Sequence, residues 1–258
     1  INYFAPTNIN EYFTDVKNEE CGANELYDLA TCGVIGSTGL FRPSESLTRE
    51  DMIRYAVNAF FCCVSPDYAA ADTEKKSFAD DSVIGTDFKE YIRCAAILGL
   101  INGRSGNLLE LSDKATRAEA VTVAGRLADM KAQIDSSVYV KASAKQSDGE
   151  LVLSFSLANN TEKPVVLTST NSQTFDFVIF DKDGKQIYRW SDDKVFSTVI
   201  TKTKIEPGKE AFFSDKIDTK TYSSIKDRIF CIKAYPVGTS SDFSINPNGY
   251  IVFDTNLD

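Results

Sequence analysis

Two periodicities divide the chain. Up to about Ile134 apolar positions recur every three to four residues, and beyond it they alternate with polar ones. In the first stretch Met52, Ile53, Ala56, Val57 and Phe60 form one apolar stripe. Ala120, Val121, Val123, Ala124 and Leu127 form another, so each predicts an amphipathic helix. Thr48 and Thr116 stand ahead of these stripes, with Asp51 and Glu119 three positions on, the spacing of a capping box. Shorter helices are predicted over about 24–32 and 87–98. They run into Gly33 and Gly99, residues suited to a left-handed C-cap.

These features occur twice, in one order. Phe13-Thr14-Asp15-Val16 returns as Phe78-Ala79-Asp80-Asp81. Ala30-Thr31-Cys32-Gly33-Val34-Ile35-Gly36 returns around Gly99, as Ala96 to Gly103, and Leu47-Thr48-Arg49-Glu50 returns as Ala115-Thr116-Arg117-Ala118-Glu119. The offset drifts from 65 to 68, as loop insertions would cause in a true repeat. Each unit, about 13–62 and 78–130, reads as a short helix, a glycine-rich loop and a longer helix.

The second stretch predicts strands. Leu151, Leu153, Phe155 and Leu157 alternate along one run, and Asn159 to Pro164 make a turn before Val165-Val166-Leu167. Phe175–Phe180 and Gln186–Trp190 flank Asp181-Lys182-Asp183-Gly184-Lys185, a hairpin with its glycine in place. Ser197–Ile205, Ala211–Ser214, Arg228–Tyr235 and Tyr250–Phe253 complete the strands, with no helix among them. The fold class expected is therefore multidomain, α followed by all-β. A helical repeat domain (1–135) precedes an antiparallel, immunoglobulin-like β-sandwich (138–258). Asp181-x-Asp183 starts like a calcium loop but has Gln186 at position six and Asp192 at position twelve, so a turn is the better reading.

Charge sharpens the division. Residues 1–135 carry 13 Lys and Arg against 21 Asp and Glu, whereas 136–258 carry 15 against 16. A net charge of −9 disfavours a nucleic-acid or anionic-membrane partner, and no apolar run is long enough to span a membrane. The chain has no histidine, which excludes Ser-His and Cys-His nucleophile pairs and an ordinary zinc site. A non-enzyme without cofactor or metal is expected. Of six cysteines, only Cys231 lies in the second part; buried free thiols are the favoured reading, and a bridge from Cys32 to Cys62 or Cys63 stays open. The chain begins at Ile1 with no charged-then-apolar leader, as expected where a leader was removed or the chain trimmed.

The repeat resembles the S-layer homology (SLH) module of bacterial surface proteins. The first unit carries Phe13 and Asp15, Gly33-Val34-Ile35-Gly36, Gly39-Leu40-Phe41-Arg42-Pro43 and Leu47-Thr48-Arg49. The second lacks the proline of the F-x-P segment, and Cys21 stands where the family sets an aromatic. The resemblance implies binding to secondary cell-wall polysaccharide, with Asp15, Arg49, Asp80 and Arg117 as site residues. On the residues alone, Arg49 and Arg117 could equally sit in solvent or pair with nearby acids.

The second half resembles the BsuPI intracellular proteinase inhibitor family. Asn160-Thr161-Glu162-Lys163-Pro164, Ser172 to Phe177, Asp181 to Gly184, Tyr188-Arg189-Trp190-Ser191-Asp192-Asp193-Lys194-Val195-Phe196 and Glu206-Pro207-Gly208-Lys209 carry the likeness. It implies a protein partner, a protease foremost. Ser191, Asp192, Asp193 and Lys194 are candidate contact residues, and the Gly238–Pro247 loop is a second candidate. Trp190, the only tryptophan, is expected in the core, with Arg189 and Asp176 paired near the surface. Together the resemblances describe a cell-wall-associated extracellular protein of a Gram-positive bacterium. The alternatives are a cytoplasmic location and an adhesive or structural envelope role without inhibition.

Overall fold

The computed structural model describes residues 8–36, 39–72 and 77–253, which divide into two compact units. The first unit takes residues 1–66 and 76–128, the second 67–75 and 129–258. Residues 67–72 group with the second unit because Ala70–Ala71 pairs there as an edge strand.

In the first unit α1 (Ala23–Thr31) and α3 (Lys89–Ile97) both end in one hydrogen-bond pattern. The Leu29 carbonyl accepts from Val34 and the Ala95 carbonyl from Leu100, while Gly33 and Gly99 sit at φ 74° and 70°. A side chain at such positive φ is strained, so glycine closes both helices. Thr48 caps α2 (Arg49–Ala59), its hydroxyl accepting from the Asp51 amide at 3.1 Å. Thr116 does the same for Glu119 at 3.2 Å, ahead of α4 (Arg117–Ile134). Past α2 the chain makes one π turn, Phe60–Val64, closed by Ser65 N donating to the Phe60 carbonyl. Ile9, Phe13, Val16, Leu26, Val34 and Ile35 form one core cluster of this unit, and the α2 stripe is buried as expected.

The α4 stripe is only partly covered. Val123 is buried, but Ala120, Val121 and Ala124 are exposed, because α2 and the 100–104 loop reach only the edge carrying Glu119, Val123 and Arg126. The thiols also differ from expectation. None of the six is in a disulfide, yet only Cys94 is buried, while Cys21, Cys32, Cys62 and Cys63 are exposed at helix ends and turns.

The second unit consists of antiparallel, sandwich-like sheets. One has the order β1 (Ala70–Ala71), β10 (Tyr250–Val252), β9 (Cys231–Pro236), β5 (Phe175–Phe180), β6 (Gln186–Arg189). Another runs β2 (Val138–Ser147), β3 (Glu150–Asn159), β8 (Lys209–Ile217), and a third pairs β4 (Val165–Ser169) with β7 (Thr201–Ile205). The β2–β3 hairpin turns on Asp148-Gly149, both at positive φ, the requirement of a tight two-residue turn. Leu151, Leu153, Phe155 and Leu157 face the core as their alternation predicts, against Phe175, Phe177 and Ile179. Two expectations fail here. A helix, α5 (Thr219–Ile225), interrupts the strands; Asp218 caps it by accepting from the amides of Lys220 and Thr221. The strand expected from Ser197 starts only at Thr201, because Ser197 is tied instead to Ser172.

Candidate functional site

The first unit holds one candidate and the second unit two. In the first, a cleft of about 270 Å³ opens between α2, the 100–104 loop and the start of α4. Arg49, Arg104 and Arg126 line it together with Glu119. Arg49 is 4% exposed; its Nε donates to the Leu109 carbonyl at 2.7 Å and its Nη1 to Glu119 Oε1 at 2.5 Å. Arg104 reaches the same Glu119 oxygen at 2.8 Å, along with Glu110 at 2.8 Å and Asp113 at 2.7 Å. The Arg104 hydrogen bonds, aided by Thr116, outweigh burial and hold the Glu119 carboxyl at about 2. Arg126 donates to the Leu100 carbonyl at 2.8 Å and, among the described residues, has no carboxylate partner. Two cations thus share one carboxylate and the third faces the cleft uncompensated.

Of the four residues the sequence points to, only Arg49 lines this cleft. Asp15 and Asp80 brace loops instead. Asp15 accepts from the amides of Phe41 and Arg42 at 2.8 and 2.7 Å, and Asp80 from those of Leu109 and Glu110 at 2.8 and 2.9 Å. Burial alone would raise both carboxyls, but the paired amides outweigh it and leave each below its ordinary value. The braced turns hold Arg42 and Glu110 at positive φ, a strained conformation for side-chain-bearing residues that two amide bonds per carboxylate offset. Asp80 also orients the Leu109 peptide whose carbonyl receives Arg49, which makes it a positioning residue for the cleft. Arg117 is exposed and stands outside the lining. Arg104 and Arg126 are the residues sequence reasoning missed. Arg126 lies seven positions after Glu119, two turns along the same helix face, which is the one local signal that could have found it.

In the second unit the signature around Trp190 forms a braced ledge. The Asp176 carboxylate is 2% exposed and accepts four bonds: from Arg189 at 2.8 Å, the Ser191 hydroxyl at 2.8 Å, the Ser191 amide at 3.2 Å and the Phe177 amide at 2.9 Å. Trp190 stacks on Phe175 at 4.4 Å and donates its indole N–H to Asp215 at 2.8 Å. Lys194 reaches the same Asp215 oxygen at 2.9 Å and lies over the indole at 5.3 Å. Burial would raise the Asp215 carboxyl, but Lys194 and Trp190 pull it below its ordinary value. Of the candidate contact residues, Asp192 and Asp193 are exposed, whereas Ser191 and Lys194 serve as anchors. The other loop candidate bounds a cleft of about 470 Å³ beside Tyr235 and Phe243.

Residues 138–237 match the family model described as BsuPI, Intracellular proteinase inhibitor. This segment is a BsuPI domain. The chain is also similar to the exoglucanase XynX of Acetivibrio thermocellus, 36% identical over 115 residues that cover 44% of this chain and 10% of that protein. It is similar to the amylopullulanase of Thermoanaerobacterium thermosulfurigenes, 32% identical over 112 residues, 43% of this chain and 6% of that protein. The chain therefore spans a tenth or less of the length of these curated relatives. Among solved structures, a DUF1425 family member from Shewanella sp. pv-4 aligns over 40% of this chain and 78% of its own, at 14% identity and a TM-score of 0.26. No helix among the described residues is long and apolar enough to cross a membrane.

Proposed function

We propose that the chain is a non-enzymatic cell-surface protein whose first unit, an SLH-like repeat, holds cell-wall polysaccharide while its BsuPI domain binds a protein, a protease foremost. The observation that carries the attachment half is the arginine-lined cleft, where Arg126 offers an uncompensated guanidinium beside the Arg49–Glu119–Arg104 cluster. A guanidinium fork of this kind suits the carboxylate or phosphate groups of an anionic wall polymer, which it can engage with two parallel hydrogen bonds. The repeated loop braces at Asp15 and Asp80 support the SLH-like reading. So do two relatives whose names declare polysaccharide substrates and which share only a small fraction of their length with this chain. The inhibitor half rests on the match at 138–237. A wall polymer lies outside the membrane, so the reading favours an exported, wall-associated protein over a cytoplasmic one.

Co-sedimentation of the full chain with purified wall sacculi tests attachment. Arg126→Gln should weaken binding about tenfold, the size of one charge-assisted contact, while Arg117→Ala, outside the cleft, leaves it near wild type. Binding that survives Arg126→Gln, or a wild-type chain that stays in the supernatant, would sink the attachment reading.

A further inference from the structure

The connection from β6 to β7 is held from below and open above. Trp190 is in the core, Lys194 is pinned to Asp215, and Phe196 packs on the Trp190 ring at 5.9 Å. Ser197 is fixed from both directions: its carbonyl accepts from the Ser172 amide at 3.0 Å and its amide donates to the Ser172 hydroxyl at 2.9 Å. Lys194 has extended backbone, φ −105° and ψ 149°. In extended chain successive side chains point to opposite sides. Lys194 and Phe196 point inward, so Val195 points out, and it is 99% exposed. Among the described residues its main-chain groups make no hydrogen bond. Val199 and Ile200, each 66% exposed, extend the apolar surface further along the same connection.

A fully exposed β-branched side chain on an anchored backbone has no use in packing. It does have the form of a segment laid into a protease cleft. The unpaired main chain can add to the enzyme's strand edge, and one projecting side chain fills the primary specificity pocket. Anchors on both sides remove most of the ordering cost that a flexible loop would meet on binding.

We propose that Val195 is the side chain by which the BsuPI domain enters a protease, and that the partner is a serine protease with a small, uncharged, elastase-type specificity pocket. This rests on the inhibitor reading of the domain. Val195 is too short to reach a charge at the base of a deep pocket and too narrow to fill an aromatic slot, so trypsin-type and chymotrypsin-type enzymes are disfavoured. Asp192 and Asp193, exposed on the adjoining turn, further favour an enzyme whose cleft rim is basic.

The test titrates the full chain against pancreatic elastase, trypsin and chymotrypsin, following hydrolysis of a chromogenic peptide, with Val195→Asp and Val195→Arg alongside. Val195 touches no core residue, so both variants should keep the wild-type Trp190 fluorescence and melting curve. The expected result is inhibition of elastase, weakened at least 100-fold by Val195→Asp, with Val195→Arg moving inhibition towards trypsin. If the wild-type chain inhibits elastase and both variants match it within about threefold, Val195 is not the specificity residue, although the inhibitor reading stands. Should the wild type inhibit trypsin, chymotrypsin or a cysteine, aspartic or metalloprotease added to the panel but not elastase, the Val195 assignment falls while the inhibitor reading stands; should it inhibit none of them, both fall.

Discussion

Removing the Asp176 carboxylate is the most informative single perturbation of the second unit. Asp176→Ala leaves the Arg189 guanidinium, the Ser191 hydroxyl and two amides without their common acceptor, at a site where the aspartate is 2% exposed. Breaking a buried ion pair from one side costs about 3–5 kcal/mol. Here the Arg189 side chain is 39% exposed and can be rehydrated, which places the loss at the low end, about 3 kcal/mol. Asp176→Asn keeps one acceptor oxygen and should lose roughly half as much. Trp190 is the only tryptophan, so its fluorescence reports this unit alone. Urea titration followed at Trp190 should show the midpoint falling in the order wild type, Asp176→Asn, Asp176→Ala, with the slope unchanged. The corresponding melting temperature drops by roughly 10 °C for the alanine variant. An alanine variant within about 1 kcal/mol of wild type would mean that the four bonds do not act as one brace, and the account of the ledge beneath Val195 would fail with it.

Three further outcomes follow from the same geometry. Glu119 titrates at about 2 in the folded chain against an ordinary 4.5, so its contribution is fully present above about pH 4.5 and fades as pH falls towards 2. Circular-dichroism melts of Glu119→Gln should therefore show a shallower decline over that window, and a slope equal to wild type would contradict the Arg104 assignment. Asp80→Ala should destabilise the first unit more than Asp15→Ala, by about 1–3 kcal/mol, because it also loosens the Leu109 carbonyl that holds Arg49; chemical denaturation in which Asp15→Ala is the costlier would reverse that ranking. At Gly238, φ is 149° and an added Cβ would stand 2.6 Å from the Thr168 carbonyl oxygen, so Gly238→Ala should cost about 1–3 kcal/mol by Trp190-monitored unfolding, and an unchanged midpoint would show that the 238–247 loop gives way freely.

Much of this protein is written in short-range signals. The caps at Thr48 and Thr116, the glycine closures at Gly33 and Gly99, the Asp148-Gly149 turn and the alternation from Leu151 to Leu157 each depend on residues within a turn or a strand. Most helix and strand positions are therefore legible without tertiary information; α5 escaped because its stretch of threonines and serines has no apolar stripe to announce it, and the strands β1 and β2 are not among those the alternation predicts. The BsuPI likeness is legible for a related reason: a dense run of unusual residue types keeps its order along the chain.

The sites were decided elsewhere. Arg49 leaves solvent for a carbonyl 60 positions away and a carboxylate 70 positions away. Arg104 and Arg126 become cleft residues only because the loop after α3 comes to lie against α4. Asp215 joins Trp190 and Lys194 from β8, and Ala70–Ala71 find their pairing partner near the far end of the chain. Even the exposure of Val195 is a consequence of Lys194 being drawn inward by Asp215, 21 positions on, and of Phe196 packing on the buried Trp190 ring. Local preference sets which way the backbone runs, whereas the satisfaction of charges and the direction of side chains depend on whatever packing brings within about 3 Å. That pairing is a property of the folded chain, and no single segment carries it.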